Sequence, residues 1–139
     1  MESISKKEQT KMYTERLTGI DQRKLKNGQM RLRFKLSDRA YSLVTNSIKM
    51  TGYKYRNAAV DAICHHFLSS EIDTLHSFGD VHGKNRLLVK LYEDEFEIFC
   101  EAILNARDMC ECDVDAFVRI FLHYALSELE DETTLKYIN

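Results

Sequence analysis

Met30-Arg-Leu-Arg-Phe-Lys-Leu-Ser37 alternates apolar and cationic residues without a break. A period of two marks a strand with one face to a core and the other to solvent. Leu32, Phe34 and Leu36 then point inward, while Arg31, Arg33 and Lys35 point outward, about 6–7 Å apart at strand rise. Ser37 and Asp38 read as a helix start: the hydroxyl can accept from the first unpaired amides, and the carboxylate suits the helix dipole. Beyond them Tyr41, Val44 and Ile48, with Ala40 and Leu43 alongside, make one helical face that Gly52 ends. Ala59, Val60, Ile63, Cys64, Phe67 and Leu68 make a second, fading at Ser69-Ser70.

The same order then returns. At an offset of 55, Arg31, Leu32, Lys35 and Leu36 fall on Arg86, Leu87, Lys90 and Leu91, and Tyr41, Val44 and Ile48 fall on Phe96, Phe99 and Ile103. At an offset of 58, the second helical face meets Phe117, Val118, Phe121, Leu122, Ala125 and Leu126. The three extra residues fall in the turn between helices, where insertion costs least. Three matched stripes in one order make an internal repeat of strand, helix, helix.

A lone strand leaves its backbone groups unpaired, so the two copies are expected to pair antiparallel. That predicts a mostly α fold with a two-stranded antiparallel ribbon, a tandem β-α-α-β-α-α pseudo-dimer. Leu32, Phe34, Leu36, Leu87, Val89 and Leu91 would lie over the helices, leaving Arg31, Arg33, Lys35, Arg86, Leu88 and Lys90 on the open face. This arrangement resembles the ribbon-helix-helix DNA-binding family, over residues 30–70 and 85–130. It is similar to the tandem form found among relaxosome accessory proteins of conjugative plasmids and, unit by unit, to the Arc and Met repressors. The resemblance implies that the ribbon enters a major groove and that the start of each unit's second helix holds a phosphate. The expected organisation is a basic N-terminal arm at 1–29, a first unit at 30–70, a connector at 71–84, a second unit at 85–130 and a polar tail at 131–139.

Major-groove edges display a distinct donor and acceptor pattern for each base pair, and arginine or lysine can reach guanine O6 and N7. Arg31, Arg33, Lys35, Arg86 and Lys90 are therefore the base-reading candidates, with Leu88 placed to touch a thymine methyl or to contribute little. Lys54, Tyr55 and Arg56 are the phosphate-binding candidates, at a helix N-terminus whose free amides and dipole favour an anion. The matching turn of the second unit, Asp108-Met-Cys-Glu-Cys-Asp113, carries carboxylates that would repel one. The two halves are thus expected to grip DNA unequally.

Charge agrees with that polarity. Residues 1–56 hold 14 Lys/Arg against 5 Asp/Glu, and residues 57–139 hold 6 against 17, although the net charge is only −2. A basic front on an acidic body suits a polyanion partner. No apolar run is long enough to span a bilayer, and the first residues lack a signal peptide's apolar centre, so a cytoplasmic protein with no membrane partner is expected. Cys64, Cys100, Cys110 and Cys112 lack the spacing of a secreted disulfide framework, and Cys110-Glu-Cys112 is not the C-x2–4-C spacing of a zinc finger. His65, His66 and His123 lie beside core positions, where packing explains them better than catalysis. No nucleophile triad or phosphate-loop pattern occurs. Neither a metal nor another cofactor is expected, nor an enzyme. The expected function is sequence-specific binding of double-stranded DNA, as a transcriptional repressor or as an accessory factor in plasmid or mobile-element DNA processing. Further copies of the chain on adjacent sites would be natural partners. The competing expectation is a protein-interaction module, antitoxin-like, docking through the acidic second half.

Overall fold

The computed structural model describes residues 17–128. Three strands, β1 (Asp21–Lys24), β2 (Met30–Leu36) and β3 (Asn85–Leu91), form one antiparallel sheet in the order β1-β2-β3. Four helices follow their strands: α1 (Asp38–Met50), α2 (Arg56–Ser69), α3 (Glu93–Ala106) and α4 (Asp113–Glu128), with a 3-10 turn at Arg107–Met109 before the last.

The sheet corrects the expected fold. In place of a two-stranded ribbon in a tandem β-α-α-β-α-α pseudo-dimer, the chain runs β-β-α-α-β-α-α, and the alternating stretch is the central strand of three. The added strand falls at residues assigned to the N-terminal arm, and its causes are local. The turn from Leu25 to Gln29 closes a hairpin, with Leu25 N donating to Gln29 O at 2.8 Å and Gly28 N to Leu25 O at 3.0 Å. Gly28 takes a φ of +91°, which a side chain would resist, and Asn27 Oδ1 accepts from Gln29 N at 3.0 Å. Just before β1, Leu17 and Ile20 are buried in the core and hold the strand's start. The rest of the expected arm, residues 1–16, and the expected tail lie outside the described residues.

β2 and β3 pair in one register, Arg31 against Lys90, Arg33 against Leu88 and Lys35 against Arg86. Their inward residues, Leu32, Phe34, Leu36, Leu87, Val89 and Leu91, are all buried. Phe34 stacks on Phe117 with ring centroids 4.1 Å apart, and Phe99 packs edge-on to Phe34 at 6.3 Å. α1 packs on α4, and α2 on α3 and α4, so each half of the chain closes over the other half's helices. One core results, in which each fully buried Phe or Leu contributes about 1.5–3 kcal/mol.

On α1 the buried residues are Ala40, Leu43, Val44 and Ser47, while Tyr41 and Ile48 pack partly buried against the core. The expected Tyr41–Val44–Ile48 face is thus turned toward Leu43. Ser37 caps the helix, its Oγ accepting from Ala40 N at 3.2 Å and donating to Asp80 O at 3.0 Å. That second bond ties down the segment between α2 and β3, whose Leu75, Phe78 and Val81 are buried. Gly83 passes so close that a Cβ there would lie 2.6 Å from Leu36 O and from Ser37 Cα. No helix among the described residues is long and apolar enough to cross a membrane.

Candidate nucleic-acid interface

Side chains directly opposite on paired strands share a face. The outer face of the sheet therefore carries three transverse rows, and the registers fix their members. Arg23 on β1, Arg31 on β2 and Lys90 on β3 make the first. Asp21, Arg33 and Leu88 make the second, and Lys35 and Arg86 the third. All six base-reading candidates come together here. Arg23 joins them, and sequence reasoning left it in the arm. The Asn27-Gly28 pair just after it was the available signal, since Asn-Gly between two extended stretches favours a hairpin.

The rows differ in how their charges are met. Among the described residues no carboxylate forms an ion pair with Arg23, Arg31, Lys35, Arg86 or Lys90. Like charges directly opposite one another repel, so three cations abreast on adjacent strands are a cost that an anion would relieve. Arg31 Nε is screened from solvent and has no hydrogen-bond partner among the described residues, which adds a donor awaiting an acceptor. The second row is different. Arg33 donates from Nε to Asp21 Oδ2 at 2.9 Å, and its Nη2 binds the same oxygen. The Arg33 hydrogen bond is the main reason that the Asp21 carboxyl lies below its ordinary range. Leu88 completes the row half-exposed.

The phosphate candidates stand at the edge of β3. Tyr55 precedes α2 with no side-chain cap bond and is 63% exposed, so the helix's leading amides face outward without an internal acceptor from that residue. Lys54 lies over the Tyr55 ring, 5.5 Å from its centroid. Arg56 is less free than the sequence implies: its Nη1 donates to Leu88 O at 2.7 Å, bracing the helix start against the strand edge. Tyr55, Arg56, Leu88, Lys90 and Tyr92 line a shallow cleft there.

At the matching turn of the second half, Asp108 and Glu111 are exposed, whereas the carboxylates at the helix start, Asp113 and Asp115, are spoken for. Asp113 is buried and accepts from Arg107 Nε at 3.0 Å, from Arg107 Nη2 at 2.9 Å and from Thr18 N at 2.8 Å. Asp115, also buried, accepts from Glu111 N at 3.0 Å and lies 3.2 Å from Arg119 Nε. Asp113 and Asp115 have their charge met by Arg107 and Arg119, which leaves Asp108 and Glu111 as the exposed carboxylates of the turn. Both buried carboxylates lie in the first turn of α4, where negative charge already meets the helix dipole.

The thiols and imidazoles fall elsewhere. Cys64 and Cys100 are buried, and burial pushes both thiols up. Cys110, half-buried, is pushed up to about 11 by burial. Cys112 Sγ lies 3.7 Å from His82 Nε2. No group of three or more metal-ligating side chains occurs among the described residues. His123 lies between α4 and the end of α2, its Nε2 3.0 Å from Ser70 Oγ and its ring 5.4 Å from that of His66. Burial first, and His66 next, hold it below the ordinary histidine value.

Comparison of the chain with family models, with curated proteins and with solved structures returned no match.

Proposed function

We propose that the chain binds double-stranded DNA in a sequence-specific way through the outer face of its sheet. The observation that carries this reading is the face itself: six cations in register on three strands, five of them without an ion-pair partner among the described residues. A three-stranded sheet measures about 10 Å between its outer strand axes. The major groove is about 12 Å wide. The central strand therefore enters deepest, carrying Arg31, Arg33 and Lys35 toward base edges, and the outer strands meet the sugar-phosphate rims. Arg23 and Lys90 then face opposite backbones, and the open start of α2 with Lys54 adds a phosphate contact beyond β3. The kinship to ribbon-helix-helix proteins stays within this proposal, supported by the paired β2 and β3 and the helices behind them. The added strand sets this chain apart from that pattern.

Regulation of transcription and assistance to plasmid or mobile-element DNA processing both follow from site-specific binding; the genomic position of the site, at a promoter or at a transfer origin, discriminates them. The test is selection from a randomised duplex pool, followed by binding of the enriched site across salt concentrations. One motif is expected to emerge, with log affinity falling against log salt by about 0.9 for each phosphate neutralised. If the pool stays unenriched at low salt, the DNA reading is wrong, and a protein partner for the acidic half becomes the reading to pursue.

A further inference from the structure

Asp21 is out of place on a surface that must approach a polyanion. It is the single carboxylate in the three rows, directly opposite Arg33 in the register and with one oxygen on two of its nitrogens. Folding does not explain the pair. Its side chains are 41% and 47% exposed, and solvent screening leaves such a pair little to contribute to stability. Solubility does not explain it either, since the charge sits among cations. What the pair does is geometric. An arginine on an open strand face has a long side chain with many rotamers, most of which miss any given base edge. A carboxylate on the Nε and Nη2 side fixes the plane and direction of the guanidinium. It leaves the Nη1 end, with the second hydrogen of Nη2, as the free pair of donors.

We propose that Asp21 is the positioning residue of Arg33, and that the pair makes Arg33 the guanine-reading side chain of this face. Arg23 and Lys90, on the outer strands of the neighbouring row, grip backbone phosphates. This rests on the DNA-binding reading above and adds to it a division of labour and a base. Guanine presents O6 and N7 side by side in the major groove, and two donors held in one plane match them. Adenine sets an N6 donor beside N7, and a fixed guanidinium meets it donor against donor. A guanidinium free to swing would settle for a phosphate in either case, because phosphate contacts carry no sequence information. Arg23 and Lys90 suit phosphate contact, since no carboxylate among the described residues pairs with either to orient it.

The experiment uses the full chain and the duplex enriched by the wild-type protein, compared with a scrambled duplex of the same composition. Asp21→Asn keeps the shape and removes the charge, and Asp21→Ala removes both; the exposure of Asp21 leaves the fold intact in either. On the enriched duplex both variants are expected to lose fivefold or more in affinity, the lower bound for one bidentate base contact at about 1 kcal/mol. On the scrambled duplex the same variants are expected to bind as well as the wild type or more tightly, since a negative charge has gone. In an Arg33→Ala background, Asp21→Ala should cost nothing further on the enriched duplex, and repeating the selection with Asp21→Asn should blur one G·C position. Two outcomes overturn the proposal. In one, both duplexes are bound more tightly by the same factor, which makes Asp21 a repelling charge only. In the other, Asp21→Ala costs the same with and without Arg33. Failure of the wild-type protein to enrich any duplex is a different result, and it overturns the DNA reading itself.

Discussion

Tyr55 and Asp113 occupy equivalent places in the two halves, each at the start of the second helix after a strand, yet they meet the same electrostatic problem in opposite ways. The start of any helix gathers amides without internal acceptors and the positive end of the dipole. At α4 the chain answers from within: Asp113 and Asp115 are buried and bound by Arg107 and Arg119. At α2 the residue is an exposed tyrosine, with Lys54 over its ring and Arg56 braced on Leu88. A closed helix start serves the fold, and an open one keeps its attraction for an outside anion. The two helix starts thus differ in how much of their charge is met within the chain.

The largest expected effect lies at the closed end. Asp113→Ala strands Arg107 and frees Thr18 N, and urea unfolding should show a loss of about 3 kcal/mol, the low end for a broken buried ion pair because Arg107 is 35% exposed. Tyr55→Ala, at the equivalent place, should change stability by about 0.5 kcal/mol or less. Equal losses at the two positions would break the comparison. On DNA the inequality should reverse. Lys54→Ala with Arg56→Ala is expected to make the salt dependence shallower by about 0.9 for one lost phosphate, whereas Asp108→Asn with Glu111→Gln should leave the slope unchanged. A slope that shifts with the second pair and not with the first would assign the anion site to the wrong helix.

The smallest effect is expected where the halves meet at their far ends. His123 is held below the ordinary value mainly by burial, so the folded chain favours its neutral form. The unfolded chain binds the proton first, at about pH 6.5. Its contribution is therefore complete above that pH and is lost as pH falls through the lower folded value. Melting temperatures of the wild type should drop between pH 7 and pH 5 by more than those of His123→Gln, which keeps a polar group for Ser70. Parallel curves would remove His123 from the account.

How much of this was legible in the chain follows from where the apolar residues lie. β2, β3 and the first three helices each bury a periodic stripe, and α4 buries one widened by the unbroken run 113–118; periodicity is what a sequence shows. β1 buries none: Asp21-Gln-Arg-Lys24 is wholly polar, held by its hairpin and by Leu17 and Ile20 just before it. Missing it misplaced one strand and hid Arg23 and Asp21 from the candidate site. The segment between the halves was opaque for a related reason, because Leu75, Phe78 and Val81 enter the core at irregular spacing from a loop. On the face itself, alternation identified which side chains point outward, yet could not show that Arg33 already has a partner. That partner comes from a neighbouring strand, and cross-strand register is invisible until strands are paired.

The order β1-β2-β3 also bears on how copies of the chain behave toward one another. A strand edge with unpaired amides and carbonyls is a template for another molecule's strand, and aggregation begins at such edges. The hairpin seals β2 on one side, which leaves β3 as the long outer edge among the described strands. There Arg56 already occupies the Leu88 carbonyl, and the Arg86 and Lys90 side chains flank it. A strand approaching from a second copy would have to displace one guanidinium and pass between two more cations. The same cations that the proposed DNA reading places on the sheet thus also oppose edge-to-edge stacking of copies.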